Sequence, residues 1–177
     1  MLEKNFDITW IPLVNPEDQF IGISHCPGKY SKDQGSSVQL YNDLKSLKRQ
    51  KVDVIISLIS EIEIKRLGIA NFREHIKQSG FIHFVEPIED FSVPRSERME
   101  SVNELIINII NFLKNNKSVL IHCNAGFGRS GIIVGIVIKF IAGLKDPVSH
   151  VRKYRPGAVE TKDQKRFVAD FSLLNLE

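Results

Sequence analysis

The chain has 177 residues, 42% hydrophobic and 25% charged. That is enough to bury a proper core in one domain, predicted here over residues 1–177. Lys plus Arg numbers 24 and Asp plus Glu 21, a net charge of +3, too mild a basic excess to argue for a nucleic-acid surface. Two cysteines, Cys26 and Cys123, exclude a disulfide framework. The first residues show no basic segment followed by an apolar one, and the apolar run 132–144 is too short for a bilayer and is interrupted by Lys139. The expectation is a cytoplasmic monomer with no membrane or nucleic-acid partner.

In chain order, residues 6–14 and 19–24 read as two strands around a turn at Asn15-Pro16-Glu17-Asp18. Residues 36–50 place Val38, Leu40, Tyr41, Leu44 and Leu47 at helical spacing. Residues 52–59 form a continuous apolar run, the mark of a buried parallel strand. Short helices are predicted over 61–67 and 70–78, then a strand over 81–85. A long amphipathic helix follows over 96–114, with Met99, Val102, Leu105, Ile106, Ile109, Ile110 and Leu113 inward. Residues 118–121 are a further strand, and the run from Ile132 is a buried helix. Asp146-Pro147 opens a helix to 154. The last helix is predicted over 161–174, with Thr161 and Gln164 spaced as a capping box. Strands alternating with helices predict an α/β fold with a mainly parallel central sheet flanked by helices.

The chemistry is concentrated in His122-Cys123-Asn124-Ala125-Gly126-Phe127-Gly128-Arg129-Ser130-Gly131, between a strand and a helix. A glycine loop there turns successive backbone N–H groups into one concavity, backed by a positive helix end, which makes an anion site. The backbone from Asn124 to Arg129 is the expected substrate cradle. Cys123 is the expected nucleophile, because thiolates are stabilised at helix N-termini and beside cations. Arg129 offers a planar fork for two phosphate oxygens that Lys cannot reproduce. Gly126 and Gly128 are expected to take positive φ and let the backbone approach the ligand. Ser130 is expected to donate to the cysteine sulfur as it leaves a covalent adduct, and His122 to hold the loop through its ring N–H groups. The set suits attack on phosphorus through a phosphocysteine intermediate, with no metal or cofactor.

Gly126-Phe127-Gly128-Arg129-Ser130-Gly131 also reads as G-x-G-x-x-G, the dinucleotide fingerprint. That fingerprint normally opens a domain, whereas only 46 residues follow Gly131. The acid expected after a second strand is missing, since Asp146 before Pro147 reads as a helix N-cap. A purely structural loop with a buried free Cys leaves an Arg inside a glycine loop unexplained.

Phosphoryl transfer also needs a proton for the departing oxygen. The loop after residues 81–85 holds three acids, Glu86, Glu89 and Asp90, and its composition does not choose among them. A third stretch, Arg155-Pro156-Gly157-Ala158-Val159-Glu160-Thr161-Lys162-Asp163-Gln164, carries an Arg that either lines the pocket mouth or neutralises the end of its own helix. Cys26 reads as a packed loop thiol; capture of oxidised Cys123 by it is a second possibility.

The decapeptide resembles the signature of the cysteine-dependent protein phosphatases, Cys-x5-Arg followed by Ser or Thr and Gly. Pro87-Ile88-Glu89-Asp90-Phe91-Ser92-Val93-Pro94 resembles the acid loop of the dual-specificity group, which implies Asp90 as general acid, 33 residues before Cys123. The third stretch is similar to the loop that orients the hydrolytic water through Gln. Gln164 matches one Gln, although it is equally a cap partner for Thr161, and Glu160 departs from the other. Residues from about 20 to 172 resemble the kinase-associated phosphatases, through Gly22-Ile23-Ser24-His25-Cys26-Pro27-Gly28 and the motifs above. That resemblance implies a five-stranded sheet, metal-free hydrolysis of phosphotyrosine, phosphothreonine or phosphoserine, and a phosphorylated protein substrate such as a kinase. Two alternatives are a phosphoinositide or inositol-phosphate phosphatase, against which the uncharged Asn124 and Phe127 argue, and a phosphate-binding module without turnover, against which the intact Cys, Arg and acid argue.

Overall fold

The two hydrophobic periods in the sequence, near two for strands and near 3.6 for helices, resolve into one sheet covered on both faces. A computed structural model describes residues 5–13 and 19–174. The turn expected at residues 15–18 lies outside them. The strands are β1 (Thr9–Pro12), β2 (Phe20–Ser24), β3 (Val54–Ser57), β4 (Ile82–Val85) and β5 (Val119–His122). They lie in the order β1-β2-β5-β3-β4. β1 runs antiparallel to β2 and every other pairing is parallel, so the sheet is mixed at one edge and parallel through its middle. The helices are α1 (Ser37–Arg49), α2 (Glu61–Arg66), α3 (Phe72–Gln78), α4 (Met99–Lys114), α5 (Gly128–Ala142), α6 (Pro147–Tyr154) and α7 (Lys162–Asp170). A single 3-10 turn, Ser96–Arg98, leads into α4.

β5 is the central strand, and all four of its residues are buried. His122 sits in register with Ser24 of β2 on one side and Ser57 of β3 on the other. The chain therefore leaves the middle of the sheet at Cys123, on the carboxyl edge where open α/β sheets bind ligands. α5 is buried from Gly128 through Ile138, so its apolar first turns anchor the loop in the core. Among the described residues, no helix is long and apolar enough to cross a membrane.

Two expectations need correction. Val38 and Tyr41 of α1 are 72% and 52% exposed, while Leu40, Leu44 and Leu47 carry the buried stripe. α7 ends at Asp170 rather than 174. Phe171 leaves the helix at φ −58°, ψ 130°, and Lys139 Nζ of α5 donates to the carbonyls of Val168, Ala169 and Phe171 at 3.3, 2.6 and 2.8 Å. A distant lysine thus satisfies the carbonyls a longer helix would have used.

Candidate active site

The loop from Cys123 to Gly128 closes between β5 and α5. Gly126 takes φ 76°, and a Cβ there would collide with the Ser24 carbonyl. Gly128 does not adopt the positive φ expected of it. Its need is space, because a Cβ would strike the Glu160 carboxylate and lie 3.0 Å from Gln164 Nε2. The Cys123 sulfur accepts the Gly126 N–H at 3.2 Å and is almost wholly buried. α5 starts five residues after Cys123, so the unpaired amides of its first turn and its positive dipole end adjoin the sulfur.

Arg129 is 1% exposed. Its Nη1 donates to Glu63 Oε1 and Oε2 at 2.9 and 3.1 Å and to the Ile88 carbonyl at 3.1 Å. Nε and Nη2, like Ser130 Oγ, are buried with no hydrogen-bond partner. One edge of the guanidinium is thus held by protein, while on the other Nε has no partner and Nη2 faces only the Asp90 carboxyl at 3.2 Å. Burial works to lower the Arg129 pKa, but the charge on Cys123, then Glu63 and Asp90, outweigh it and raise it above its ordinary value. Glu63 is a site residue that local sequence reasoning missed. Its signal in the sequence is the Ser60-x-x-Glu63 spacing, which forms a capping box at the start of α2.

The three acids of the 86–90 loop separate cleanly. Arg98 grips Glu86 in a two-point contact, Nε to Oε1 and Nη2 to Oε2, each 2.8 Å. Arg95 pairs with Glu89. Asp90 alone reaches the anion loop, with Oδ1 3.2 Å from Arg129 Nη2 and the side chain half exposed. The next residue, Phe91, lies at φ 57°, a left-handed conformation costly for an aromatic residue and typical of constrained functional loops. A cavity of about 550 Å³ at the mouth is lined by Asp33, Glu63, Arg66, Glu89, Asp90 and Asn124.

The third stretch packs against the same loop. Gln164 is fully buried. Its Oε1 accepts the amides of Glu160 and Thr161 at 2.8 and 3.3 Å, and its Nε2 donates to the Ser92 carbonyl of the acid loop at 3.1 Å. It is both the capping partner of Thr161 and a strut between the two loops. Arg155 takes a role outside the two expected for it. It donates to the Gly126 and Ala125 carbonyls at 3.0 and 3.3 Å and to Thr9 Oγ1 at 3.1 Å, and stacks 4.4 Å over the Phe127 ring. Those contacts draw loop carbonyls away from the anion side. On the other flank, Lys29 Nζ donates to Asn124 Oδ1 at 2.6 Å.

Beneath the loop, His122 is fully buried. Its Nδ1 lies 3.2 Å from the Cys123 carbonyl and its Nε2 2.6 Å from Ser57 Oγ. Burial holds its pKa down to about 3 against the opposing bond to the Cys123 carbonyl, so the ring is neutral. Burial likewise pushes the Cys26 thiol well above its ordinary value, and Cys26 is packed in the core. Among the described residues, no cluster of His, Cys, Asp or Glu side chains could hold a metal ion.

Residues 3–151 match the family model described as cyclin-dependent kinase inhibitor 3. The cyclin-dependent kinase inhibitor 3 of Rattus norvegicus is 26% identical over 169 residues, covering 93% of this chain and 77% of that protein. A solved kinase-associated phosphatase, carrying serine in place of its catalytic-site cysteine, superposes with a TM-score of 0.85 at 25% identity, over 96% of this chain and 95% of that one. The active form of Tk-PTP superposes at 0.66 with 26% identity, over 82% and 86% of the two chains. With the five-stranded sheet, the buried cysteine and the half-free arginine already in view, the chain belongs to the cyclin-dependent kinase inhibitor 3 family and is a cysteine-dependent phosphatase.

Proposed function

We propose that residues 1–177 act as one catalytic domain that hydrolyses phosphotyrosine and phosphothreonine or phosphoserine esters on a protein, with Cys123 as nucleophile, Arg129 as phosphate clamp and Asp90 as general acid. The observation that carries this reading is the buried outer edge of Arg129, whose Nε has no partner and whose Nη2 meets only the Asp90 carboxyl, with the unpartnered Ser130 Oγ, in the loop that carries Cys123. An unsatisfied buried guanidinium edge is costly unless an anion binds there. The loop amides from Asn124 to Arg129 cradle the phosphoryl oxygens. Cys123 sulfur attacks phosphorus as the P–O bond breaks, and the departing oxygen takes the Asp90 proton. A bound phosphate takes over the Nη2 donor that now faces Asp90, freeing that carboxyl for the leaving group. Water then attacks phosphorus, Asp90 accepts its proton, and the S–P bond breaks with Ser130 donating to the sulfur. His122 supports the loop. Glu160 and Gln164, both close over Gly128, orient that water once the Gln164 amide turns from its caps.

The substrate is a phosphoprotein, and the family relation favours a phosphorylated kinase. Asn124 and Phe127, the variable positions of the loop, carry no charge to meet the extra phosphates of an inositol polyphosphate. The domain works as a cytoplasmic monomer that needs no metal.

Phosphate release is expected from phosphotyrosine and phosphothreonine peptides in the presence of a chelator, well ahead of phosphoinositides. Release confined to the inositides would overturn the protein-substrate reading. Asp90→Asn is expected to slow hydrolysis of alkyl phosphates about 10²-fold while sparing esters with good leaving groups. If Glu89→Gln produced that pattern instead, the acid would be misassigned.

A further inference from the structure

We infer that Ser57 and His83 form a relay that positions the catalytic loop through His122, by anchoring its ring at the nitrogen opposite the Cys123 carbonyl. The sheet register brings the three together. Ser57 pairs with His122 across β3–β5, and His83 pairs with Ile55, two residues before Ser57, across β3–β4. All three therefore project from the same face. Ser57 Oγ lies 2.6 Å from His122 Nε2 and 2.8 Å from His83 Nε2. Phe72 of α3 covers both rings edge-on, with centroids 5.8 Å from His122 and 6.3 Å from His83.

Counting donors and acceptors leaves one arrangement for neutral rings. The Cys123 carbonyl only accepts, so His122 Nδ1 carries the hydrogen. His122 Nε2 is then bare and accepts from the Ser57 hydroxyl. Ser57 has spent its proton, so its oxygen accepts from His83 Nε2–H. The chain of bonds runs His83 to Ser57 to His122 to the Cys123 carbonyl, with every member satisfied.

The consequence reaches the active site through the planar trans peptide after Cys123. Pinning that carbonyl fixes the opposite direction of the Asn124 N–H, the first amide of the anion loop. Without the Ser57 hydroxyl, His122 Nε2 is a buried acceptor with no donor. The ring is then held at Nδ1 alone and can swing out of line with the Cys123 carbonyl, loosening that bond. The first loop amide is freed at the step where it must meet developing charge. Ser57 and His83 thus act as positioning residues, not as groups that touch substrate.

The inference rests on Cys123 being the nucleophile, and its test separates the two. Nitrogen-15 ring shifts of His122 in the intact protein are expected to show protonated Nδ1 and bare Nε2. Ser57→Ala is expected to move the Nε2 shift as its hydrogen bond is lost, the proton staying on Nδ1, and to lower kcat on an aryl phosphate about tenfold with KM little changed. Ser57→Thr, which keeps the hydroxyl, is expected to restore both. His83→Leu should cost a few-fold, and the double variant no more than Ser57→Ala alone, because the chain is already cut. A merely structural serine would lower stability and leave the His122 shifts and kcat in place. The relay is overturned by Nε2–H in the wild type, by kcat of folded Ser57→Ala within about twofold of wild type, or by losses that multiply in the double variant. Should Ser57→Ala fail to fold, His83→Leu carries the test, its unchanged kcat and His122 shifts being the overturning result. Absence of wild-type turnover would overturn the phosphatase reading, and the ring shifts would still decide the relay.

Discussion

Cys123→Ser is expected to reduce phosphate release by at least about 10⁴-fold, the scale on which loss of a covalent nucleophile acts. The Gly126 amide donates to the Cys123 sulfur at 3.2 Å, Arg129 sits beside it, and the start of α5 faces it. These groups favour negative charge where the nucleophile attacks, and a thiol gives up its proton far more readily than a serine hydroxyl, which attacks poorly. The substitution is nearly isosteric, so the loop, Arg129 and Ser130 remain in place. Binding of inorganic phosphate or a phosphopeptide should therefore survive, measured by calorimetry alongside turnover. Appreciable hydrolysis by the pure variant would remove Cys123 from its role, and loss of both binding and turnover would mean that the loop itself had collapsed.

How much of this was legible in the sequence depended on how local each dependence is. The anion loop was legible because its chemistry is packed into ten consecutive residues between two apolar runs. The mainly parallel sheet followed from strands alternating with helices. The acid was legible only through the resemblance of residues 87–94, which gave Asp90, because three carboxylates within five residues have equal composition. What separates them is Arg95 and Arg98, which remove Glu89 and Glu86 from contention only once the chain turns into α4. Glu63 was hidden for a related reason: its local signal as a cap partner accounts for it completely, and its hold on Arg129 spans 66 residues. The early end of α7 depends on Lys139, 30 residues away. Gly128 shows the opposite case, in which the residue type was read correctly and its reason was not. Ser57 did leave a trace, as a polar residue in the apolar run 52–59, but its partner histidines lie 26 and 65 residues downstream.

The second large effect concerns the clamp. Arg129→Lys is expected to lower kcat/KM about 10³-fold, with both kcat and KM affected. Charge is conserved in this exchange, so the loss measures geometry. The guanidinium uses one nitrogen on Glu63 and the Ile88 carbonyl while it turns Nε and Nη2 toward the anion site. A single ammonium cannot hold a carboxylate behind it and two phosphoryl oxygens in front. Glu63→Gln separates the two halves of that claim. It keeps an acceptor for Nη1 but removes the charge that fixes the fork, so a smaller loss, about tenfold and mainly in kcat, is expected. Equal kinetics for Arg129→Lys and wild type would rule out two-point binding. A Glu63→Gln loss as large as that of Arg129→Lys would mean that the carboxylate, rather than the fork it orients, is the dominant group. Steady-state kinetics on an aryl phosphate, with thermal melting to confirm the fold, distinguishes these outcomes.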